Sequence, residues 1–558
     1  MIYSISRKSI PSQFIQVHLS LECVEHETVH LQLPEWRPGR YELTNYAQYL
    51  RGFKVEFEKK EVLWQKITKD LWQFHSEKSG IYSIEYEFYC NRMDAGSCWS
   101  DELQLYLNFS NFSFDIKGRE NEDIEICIDL PDFYKVATSL PPLGHFQWKA
   151  MGFQQLLDSP LIASEKSVHL SYQVNNSTFH IWLFGDIFFD LETLRSNFLS
   201  FTKTQIEAFG DFPATDYHFM VQLLPYKHYH GVEHAFSTVI TFGPAESLSE
   251  KNQMDELVGV CSHELYHFWN VCRIRPKSLL PYDLSKETYL DTGLIMEGVT
   301  TYMGDLYLLK SGYFQLEEYL NLLQKVIRKE FDSFGWKNQS IAESSFDLWL
   351  DGYKAGIPNK KVSIYNRGAL ISLCLDLMLL DKGSSLQQVM REMWQKFGKN
   401  QIGYTLEEFE FIVSEKLYLP SVVKEFFYKY IYGKQDIFEI LKIQLLSIGV
   451  IISKNFEQND LLHHFGIRTE QNGVIIQIYP DSKAFYELMI GDKILEINGK
   501  EFSVAVKDQE SGLSLILERH CRKVKVFIPK EKIKVFPSYV LKLSEPNQKT
   551  EKWSKSLF

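Results

Sequence analysis

His263-Glu264-Leu265-Tyr266-His267 is the stretch that decides the fold, because it places two histidines four positions apart. An α-helix turns once in about 3.6 residues, so these imidazoles lie on one helix face, one turn apart. That spacing suits two ligands of a single zinc ion. Glu264 lies beside them and can accept a proton from a water molecule. The pattern by itself also fits an ordinary helix with two unrelated histidines, so other segments must decide.

A third candidate ligand, Glu297, follows thirty positions after His267. It stands between the apolar segments 294–296 and Val299, where an unpaired buried carboxylate would be costly. A second helix packed across the first would bring Glu297 to the two histidines. The three side chains then form a His₂Glu set for one zinc ion per chain, with a fourth position open.

Composition limits the classes of function. A chain of 558 residues with 45% hydrophobic residues suggests three or four domains. The net charge of -12 argues against general nucleic-acid binding. The eight cysteines show no C-x-x-C spacing, which argues against a structural zinc knuckle. We see no signal segment and no membrane span, and expect a soluble cytoplasmic protein unless a signal segment has been removed.

Hydrophobic periodicity divides the chain. Short alternating apolar runs predict an N-terminal all-β domain over residues 1–175. Longer amphipathic segments predict a mainly α-helical domain over residues 176–440, which carries the histidines. Short strands return in residues 441–530, and residues 531–558 form a polar tail that we expect to be poorly ordered. The sequence therefore predicts a multidomain protein.

Residues 441–530 resemble a PDZ domain of the bacterial type. The loop His464-Phe465-Gly466-Ile467 precedes a strand and a short helix, and Asn498-Gly499 is a type I′ hairpin signal. The alternative is a generic small α+β module. The resemblance implies a groove that receives an extended peptide by strand addition, with backbone N–H groups of the loop holding its carboxylate.

The chain as a whole resembles the glycyl aminopeptidase family of gluzincin zinc peptidases. The resemblance rests on HELYHFWNV (263–271), RIRP (273–276) and EGVT (297–300). PEWRPGRY (34–41) resembles the family's N-terminal motif, and YNRGAL (365–370) resembles the helix with its catalytic tyrosine. It implies a thermolysin-like catalytic domain, zinc, and removal of small N-terminal residues such as Gly or Ala from peptides.

The resemblance also implies roles for individual residues. The family's Gly-Gly-x-Glu-His motif reads HGVEH (230–234) here, so the substrate-binding residues would be Gly231, Val232, Glu233 and His234. Glu233 would hold the free α-ammonium group of the substrate. His230 replaces the first glycine and leaves the width of this subsite open. Tyr365 is the candidate that stabilises the oxyanion.

Two further points stay open in the sequence. Cys272 stands where the family usually has lysine, and plain packing is one explanation. Asn270, Thr301 and Asp305 are candidates for supporting the zinc ligands, and the sequence does not rank them.

We therefore predict a zinc-dependent aminopeptidase in which Glu264 is the general base. One rival is a zinc endopeptidase, in which Glu233 has no amine to bind. The other is a non-enzymatic scaffold that uses the PDZ domain. The predicted partners are peptide substrates and a peptide ligand of the PDZ domain, with no nucleic acid and no membrane.

Overall fold

The computed structural model describes residues 1–352, 354, 356–456, 459–503 and 512–557. The N-terminal domain is all-β, as predicted. Strand β2 shows why, because Ile15, Val17, Leu19 and Leu21 alternate with more exposed positions and fill the core. Its strands are β1 (Ile2–Ser9), β2 (Phe14–Cys23), β3 (Thr28–Gln32), β4 (Leu50–Phe57), β5 (Lys60–Glu61), β6 (Trp64–Lys66), β7 (Leu71–His75), β8 (Gly80–Tyr89), β9 (Trp99–Ser100), β10 (Gln104–Leu107), β11 (Asp115–Ile116), β12 (Asp123–Ile128), β13 (Lys135–Thr138), β14 (Pro142–Gly144), β15 (Gln147–Met151) and β16 (Leu161–Ser164).

These strands form one large and two small sheets. The large sheet has eight strands in the order β14-β15-β12-β1-β2-β8-β4-β5. The four-stranded sheets have the orders β13-β16-β10-β9 and β11-β3-β7-β6. A short helix, α1 (Phe153–Leu157), follows β15.

A five-stranded sheet begins the second part of the chain. Its strands are β17 (Ser167–Val174), β18 (Ser177–Phe184), β19 (Asp216–Leu223), β20 (His228–Glu233) and β21 (Ser237–Gly243), in the order β17-β18-β19-β21-β20. Strands β17 and β18 pair as a hairpin along their whole length. The predicted boundary after residue 175 passes through that hairpin, so we propose a boundary near residue 166 instead.

The helices follow, as predicted for the middle of the chain. They are α2 (Leu191–Phe209), α3 (Lys251–Tyr266), α4 (Thr300–Lys310), α5 (Leu316–Phe331), α6 (Ile341–Phe346), α7 (Leu348–Asp351), α8 (Asn366–Leu380), α9 (Leu386–Met393), α10 (Leu406–Leu417), α11 (Pro420–Tyr430) and α12 (Phe438–Ser447). A π-helical segment, Leu294–Val299, leads directly into α4. Among the residues that the structure describes, no helix has the length and apolar character needed to cross a membrane.

A small module with its own apolar core follows α12. It contains α13 (Asp460–His463), β23 (Ile467–Thr469), β24 (Ile475–Ile478), β25 (Lys493–Ile497), β26 (Lys500–Glu501), β27 (Leu513–Arg519) and β28 (Arg522–Ile528), and it comes after β22 (Val450–Asn455). Asn498 and Gly499 have φ of 49° and 76° between β25 and β26, as a type I′ turn requires. In the predicted carboxylate loop, the N–H groups of His464 and Gly466 donate to Asp460 O and Leu462 O, and binding of a peptide carboxylate by this loop stays a prediction.

The last residues are not a poorly ordered tail, and this prediction is wrong. Strand β29 (Ser538–Leu543) pairs with β22, and helix α14 (Gln548–Lys555) follows it. The segment is polar on average, but Tyr539 and Trp553 anchor it in the main core. The indole N–H of Trp553 donates to the hydroxyl of Tyr302 at 2.9 Å, and Tyr302 lies on α4. Strand pairing and the burial of two large aromatic side chains together order a segment whose composition suggests disorder.

We expect Trp553→Ala to destabilise the protein by about 3–5 kcal/mol, because it removes a side chain that is only 1% exposed and leaves a cavity. Urea unfolding followed by fluorescence measures the shift in midpoint. Lys552→Ala, on the exposed face of α14, is the matched control and should change stability by less than about 0.5 kcal/mol. Equal midpoints for the two variants would contradict the anchoring role.

Candidate active site

Helix α3 carries the histidine box in its last turn, with His267 directly after its end. Two contacts hold α3 against its neighbours. The amide of Gln205 on α2 donates to Ser262 O at 2.9 Å, and the hydroxyl of Ser262 donates to Gly304 O at 2.8 Å. A β-carbon on Gly304 would lie 3.0 Å from His263 Cα, so the glycine allows α3 and α4 to approach closely.

This close crossing brings the three predicted ligands together. The Nε2 atoms of His263 and His267 are 3.0 Å apart, and Glu297 Oε2 is 3.5 Å from each of them. Two donors bound to one tetrahedral zinc ion stand about 3.4 Å apart. Glu297 Oε2 is buried and has no hydrogen-bond partner in the described part of the chain. The donor types and spacings therefore fit a zinc ion.

The orientation of His267 is set by a residue that the sequence did not rank. Its Nδ1 lies 2.7 Å from the carbonyl oxygen of Asn270, which favours a proton on Nδ1 and leaves the Nε2 lone pair toward Glu297. The Asn270 amide donates to Ile295 O at 2.7 Å and to Thr300 Oγ1 at 2.9 Å. The hydrogen bonds of Asn270 thus connect His267, at the end of α3, to the segment that carries Glu297.

The cluster is rich in buried carboxylates. Glu233, Glu264 and Glu297 are all less than a tenth exposed. Burial raises the pKa of Glu264 well above its usual value and also raises the pKa of Glu233. Burial acts in the same direction on Glu297, but the charge of His267 outweighs it and lowers that pKa. The site therefore concentrates three carboxyl groups whose ionised forms a bound divalent cation would stabilise.

Glu233 and Gly231 lie on β20, the edge strand beside α3. A β-carbon on Gly231 would lie 2.3 Å from Glu264 Oε1, so only glycine fits at this contact. The ligand atoms of Glu233, Glu264 and His267 all lie within 4.8 Å of one another, a second group that overlaps the first. Glu233 thus lies directly beside the candidate metal ligands.

The N-terminal domain closes over Glu233. Gly39 has φ of +79°, and a β-carbon there would lie 2.5 Å from Glu233 Oε2. This residue belongs to the segment 34–41 quoted from the sequence, but its role was missed. The Pro38-Gly39 pair is the signal that could have shown a tight turn there. Arg40, the next residue, lines the same cleft and is 2.6 Å from Glu42.

The other residues of the HGVEH segment face elsewhere. Side chains alternate along a strand, and Val232 packs into the core between the two domains with Met220 and Tyr106. Nδ1 of His234 is 2.9 Å from Asp158. Neither Val232 nor His234 lines the cleft, so their predicted part in substrate binding stays a prediction.

His230 lies on the Val232 face of β20, opposite Gly231 and Glu233. Burial, with Arg37 of the N-terminal domain, lowers the pKa of His230 to about 3. Its charged neighbours, Arg37 and Asp94, belong to the N-terminal domain. His230 therefore lines the cleft from the junction between the two domains, where Arg37 and Asp94 lie. It does not lie on the face of β20 that carries Glu233.

Tyr365 precedes α8 and lines the cleft, with its ring centroid 6.5 Å from that of His263. A pair of glycines places it there. A β-carbon on Gly298 would lie 2.5 Å from Gly368 Cα, so the Glu297 segment and α8 cross in backbone contact.

Cys272 packs against the main core, and burial raises the pKa of its thiol well above the usual value, which agrees with plain packing.

The cleft around these residues has a volume of about 1030 Å³. Both domains contribute to its lining, through Gly39, Arg40 and Asp94 on one side and through α3, α5 and Tyr365 on the other. A cavity of this size can hold several residues of a peptide.

Two family models match the chain. The Peptidase M61 N-terminal domain model matches residues 2–165, and the M61 glycyl aminopeptidase model matches residues 256–371. Together they cover about half of the chain, including the candidate metal ligands, Glu264 and Tyr365. Glu233 and the small C-terminal module lie outside both models, so the PDZ resemblance stays a prediction. A comparison with curated protein sequences gives no match.

Solved structures share the fold. An aminopeptidase N family protein from Idiomarina loihiensis aligns with a TM-score of 0.90 at 24% identity, over 99% of this chain and 100% of that one. An M1 zinc metallopeptidase from Deinococcus radiodurans aligns with a TM-score of 0.50 at 13% identity, over 78% of this chain and 94% of that one. The first match shows that the whole arrangement, including the C-terminal module, occurs in another protein.

Proposed function

Because the chain belongs to the M61 glycyl aminopeptidase family of peptidases, we propose that it is a zinc-dependent aminopeptidase of the gluzincin type. It removes single N-terminal residues from peptides and prefers small ones such as Gly and Ala. The observation that carries the proposal is that one buried cluster contains His263, His267 and Glu297 at 3.0–3.5 Å and has Glu233 beside it.

His263, His267 and Glu297 would hold the zinc ion. When bound, zinc supplies Lewis acidity that polarises a peptide carbonyl and acidifies a water molecule. Glu264 accepts the proton from the attacking water at its carboxylate and returns it to the leaving amine. Its burial favours this role, because the raised pKa makes the carboxylate a stronger base.

Tyr365 is the proposed oxyanion donor, and its phenol O–H would donate to the developing negative charge. Tyr365 lines the same cleft as α3. It precedes α8, which contacts the Glu297 segment where Gly298 meets Gly368. The glycines therefore set the separation between the ligands and the donor.

Glu233 would fix the end of the substrate by pairing with its α-ammonium group. Glu233 is buried beside the candidate metal ligands. The backbone of Gly39 lies so close to the Glu233 carboxylate that even a β-carbon on Gly39 would not fit. A carboxylate in so small a space can accept a charged amine but not a longer chain that continues past it. The same closure supports a preference for small N-terminal residues.

The two rivals predict different behaviour. A zinc endopeptidase would cleave peptides whose amine is blocked, and a scaffold would bind peptides without cleaving them. The clustering of the three ligands around Glu264 favours an enzyme. The position of Glu233 favours an exopeptidase.

We expect Glu233→Gln to reduce kcat/KM on an alanyl anilide by about 10- to 150-fold. Hydrogen bonds to charged groups contribute about 1.5–3 kcal/mol, and glutamine keeps the shape but removes the charge. Wild type and variant are compared on the anilide and on its N-acetylated twin. Equal cleavage of the two compounds by the wild type, or an equal loss on both in the variant, would favour the endopeptidase.

A further inference from the structure

One wall of the cleft is a single face of helix α5. The residues of α5 that line the cleft are spaced three or four positions apart, which is the spacing of one helix face. They are Glu318, Asn321, Leu322, Lys325, Val326 and Lys329. The opposite face of α5 is buried in the main core, with Leu320, Leu323 and Ile327 among its residues. The cleft wall is therefore fixed in place.

Two ammonium groups on this wall lack an ion-pair partner. Within the described ranges of the chain, no carboxylate oxygen lies within 4.0 Å of the Nζ of Lys325 or Lys329. Lys251 is different, because it pairs with Asp255 at 3.0 Å and with Glu318 at 3.1 Å. The α5 lysines are thus available to a ligand in the cleft.

The carboxyl group that interacts with Lys329 competes only weakly for its charge. Burial raises the pKa of Asp305 on α4 to about 7, although the positive charge of Lys329 lowers it. Near neutral pH this carboxyl group is only partly ionised, so it does not neutralise Lys329 fully. The lysine charges remain on the cleft wall.

The charge of Lys329 lies along the cleft from the candidate metal ligands, because Lys329 interacts with Asp305, about two helix turns beyond Glu297. Glu233 marks the end of the substrate at its free amine, so the chain beyond the scissile bond runs away from Glu233. Glu297, Thr301 and Asp305 line the cleft one helix turn apart, which spans about 12 Å along the helix. An extended peptide covers that length in about three to four residues. Lys329 interacts electrostatically with Asp305, the last of these three residues.

We propose that Lys325 and Lys329 bind a carboxylate on the leaving-group side of the substrate, within about three residues of the scissile bond. The inference rests on the proposed aminopeptidase function and names its substrate class, which is short peptides with a free C-terminus or peptides with an acidic residue near the cleavage site. The recognised chemistry is the same in both cases.

The test measures kcat/KM on a tripeptide of alanine with a free C-terminus and on its C-terminal amide. We expect the wild type to prefer the free acid by about 2- to 30-fold, the effect of two exposed ion pairs. In Lys325→Ala/Lys329→Ala the ratio should fall close to one. Lys325→Arg/Lys329→Arg should keep it, and Lys325→Glu/Lys329→Glu should invert it.

The second arm identifies the source of the carboxylate. Two tripeptide amides, one with aspartate and one with asparagine at the third position, are compared in the wild type. A preference for aspartate that the double alanine variant abolishes assigns an acidic side chain, and a preference for the free acid alone assigns the C-terminus. Lys442→Ala, on the exposed face of α12, is the matched control and should keep both ratios.

An alanyl anilide, which has no carboxylate on the leaving group, separates failure of this inference from failure of the proposed function. Zinc-dependent cleavage of the anilide with wild-type ratios of one would overturn the lysine site and leave the aminopeptidase intact. Ratios above one that persist in the double alanine variant would also overturn it. Absence of anilide cleavage by the zinc-loaded wild type would overturn both.

Discussion

Glu264→Gln is expected to lower kcat on an alanyl anilide by about 10²- to 10⁴-fold while the protein keeps its metal, because glutamine cannot accept a proton. Glu264 is only 5% exposed, and its Oε2 has no hydrogen-bond partner in the described part of the chain. Its Oε1 lies against Gly231, so the substitution has no room to move the side chain. Metal analysis of the purified variant and steady-state kinetics measure the two properties.

Glu250→Gln is the matched control, since this exposed carboxylate precedes the same helix and lies outside the cleft. It should keep both the metal and the wild-type rate. A Glu264→Gln enzyme that retains more than a tenth of the wild-type kcat would show that another group accepts the proton.

The candidate site was predictable where it depends on local periodicity. The four-residue spacing of His263 and His267 follows from one helical turn, and their Nε2 atoms are indeed 3.0 Å apart. Glu297 was predictable because an apolar sequence around a carboxylate needs a partner. In both cases the pattern in the sequence and the contact in the fold arise from the same helix geometry.

Contacts between distant segments were not predictable. The role of Gly39 depends on a turn of the N-terminal domain reaching a strand almost two hundred residues later in the chain, and no local pattern encodes that distance. His234 follows Glu233 directly, yet Asp158 holds it away from the cleft. The Val232 side chain packs into the core because successive residues of a strand face opposite sides, and the motif letters alone do not show which side faces the cleft.

The C-terminal segment shows the limit of composition. Residues 531–558 are polar, and polarity predicts disorder when each position counts equally. Burial of Trp553 and Tyr539 against α4 and α5 outweighs that average, because a buried aromatic side chain contributes far more than an exposed lysine removes. The segment that looked dispensable therefore contacts the helix that continues from Glu297.

His263→Ala should lose both the zinc ion and the activity, whereas Glu264→Gln should lose only the activity. The two variants therefore distinguish a metal ligand from the general base. Binding of zinc to the folded state stabilises it by about 4 kcal/mol when free zinc exceeds Kd by 1000-fold. Addition of zinc to the metal-free wild type should therefore raise Tm, and Glu264→Gln should show the same rise. His263→Ala keeps only His267 and Glu297 as ligands, so its Tm should respond little to zinc.

His26→Ala is the control for the metal experiment, because its exposed imidazole lies in the N-terminal domain and does not line the cleft. It should follow the wild type in Tm and in activity. The comparison of Glu264→Gln with His263→Ala then carries the argument. Two adjacent residues of one helix turn are both required for catalysis, but only His263 is required for the zinc-dependent rise in Tm. A full rise in His263→Ala would mean that zinc binds elsewhere, for instance at the overlapping group of Glu233, Glu264 and His267, and the ligand assignment would have to move to those residues.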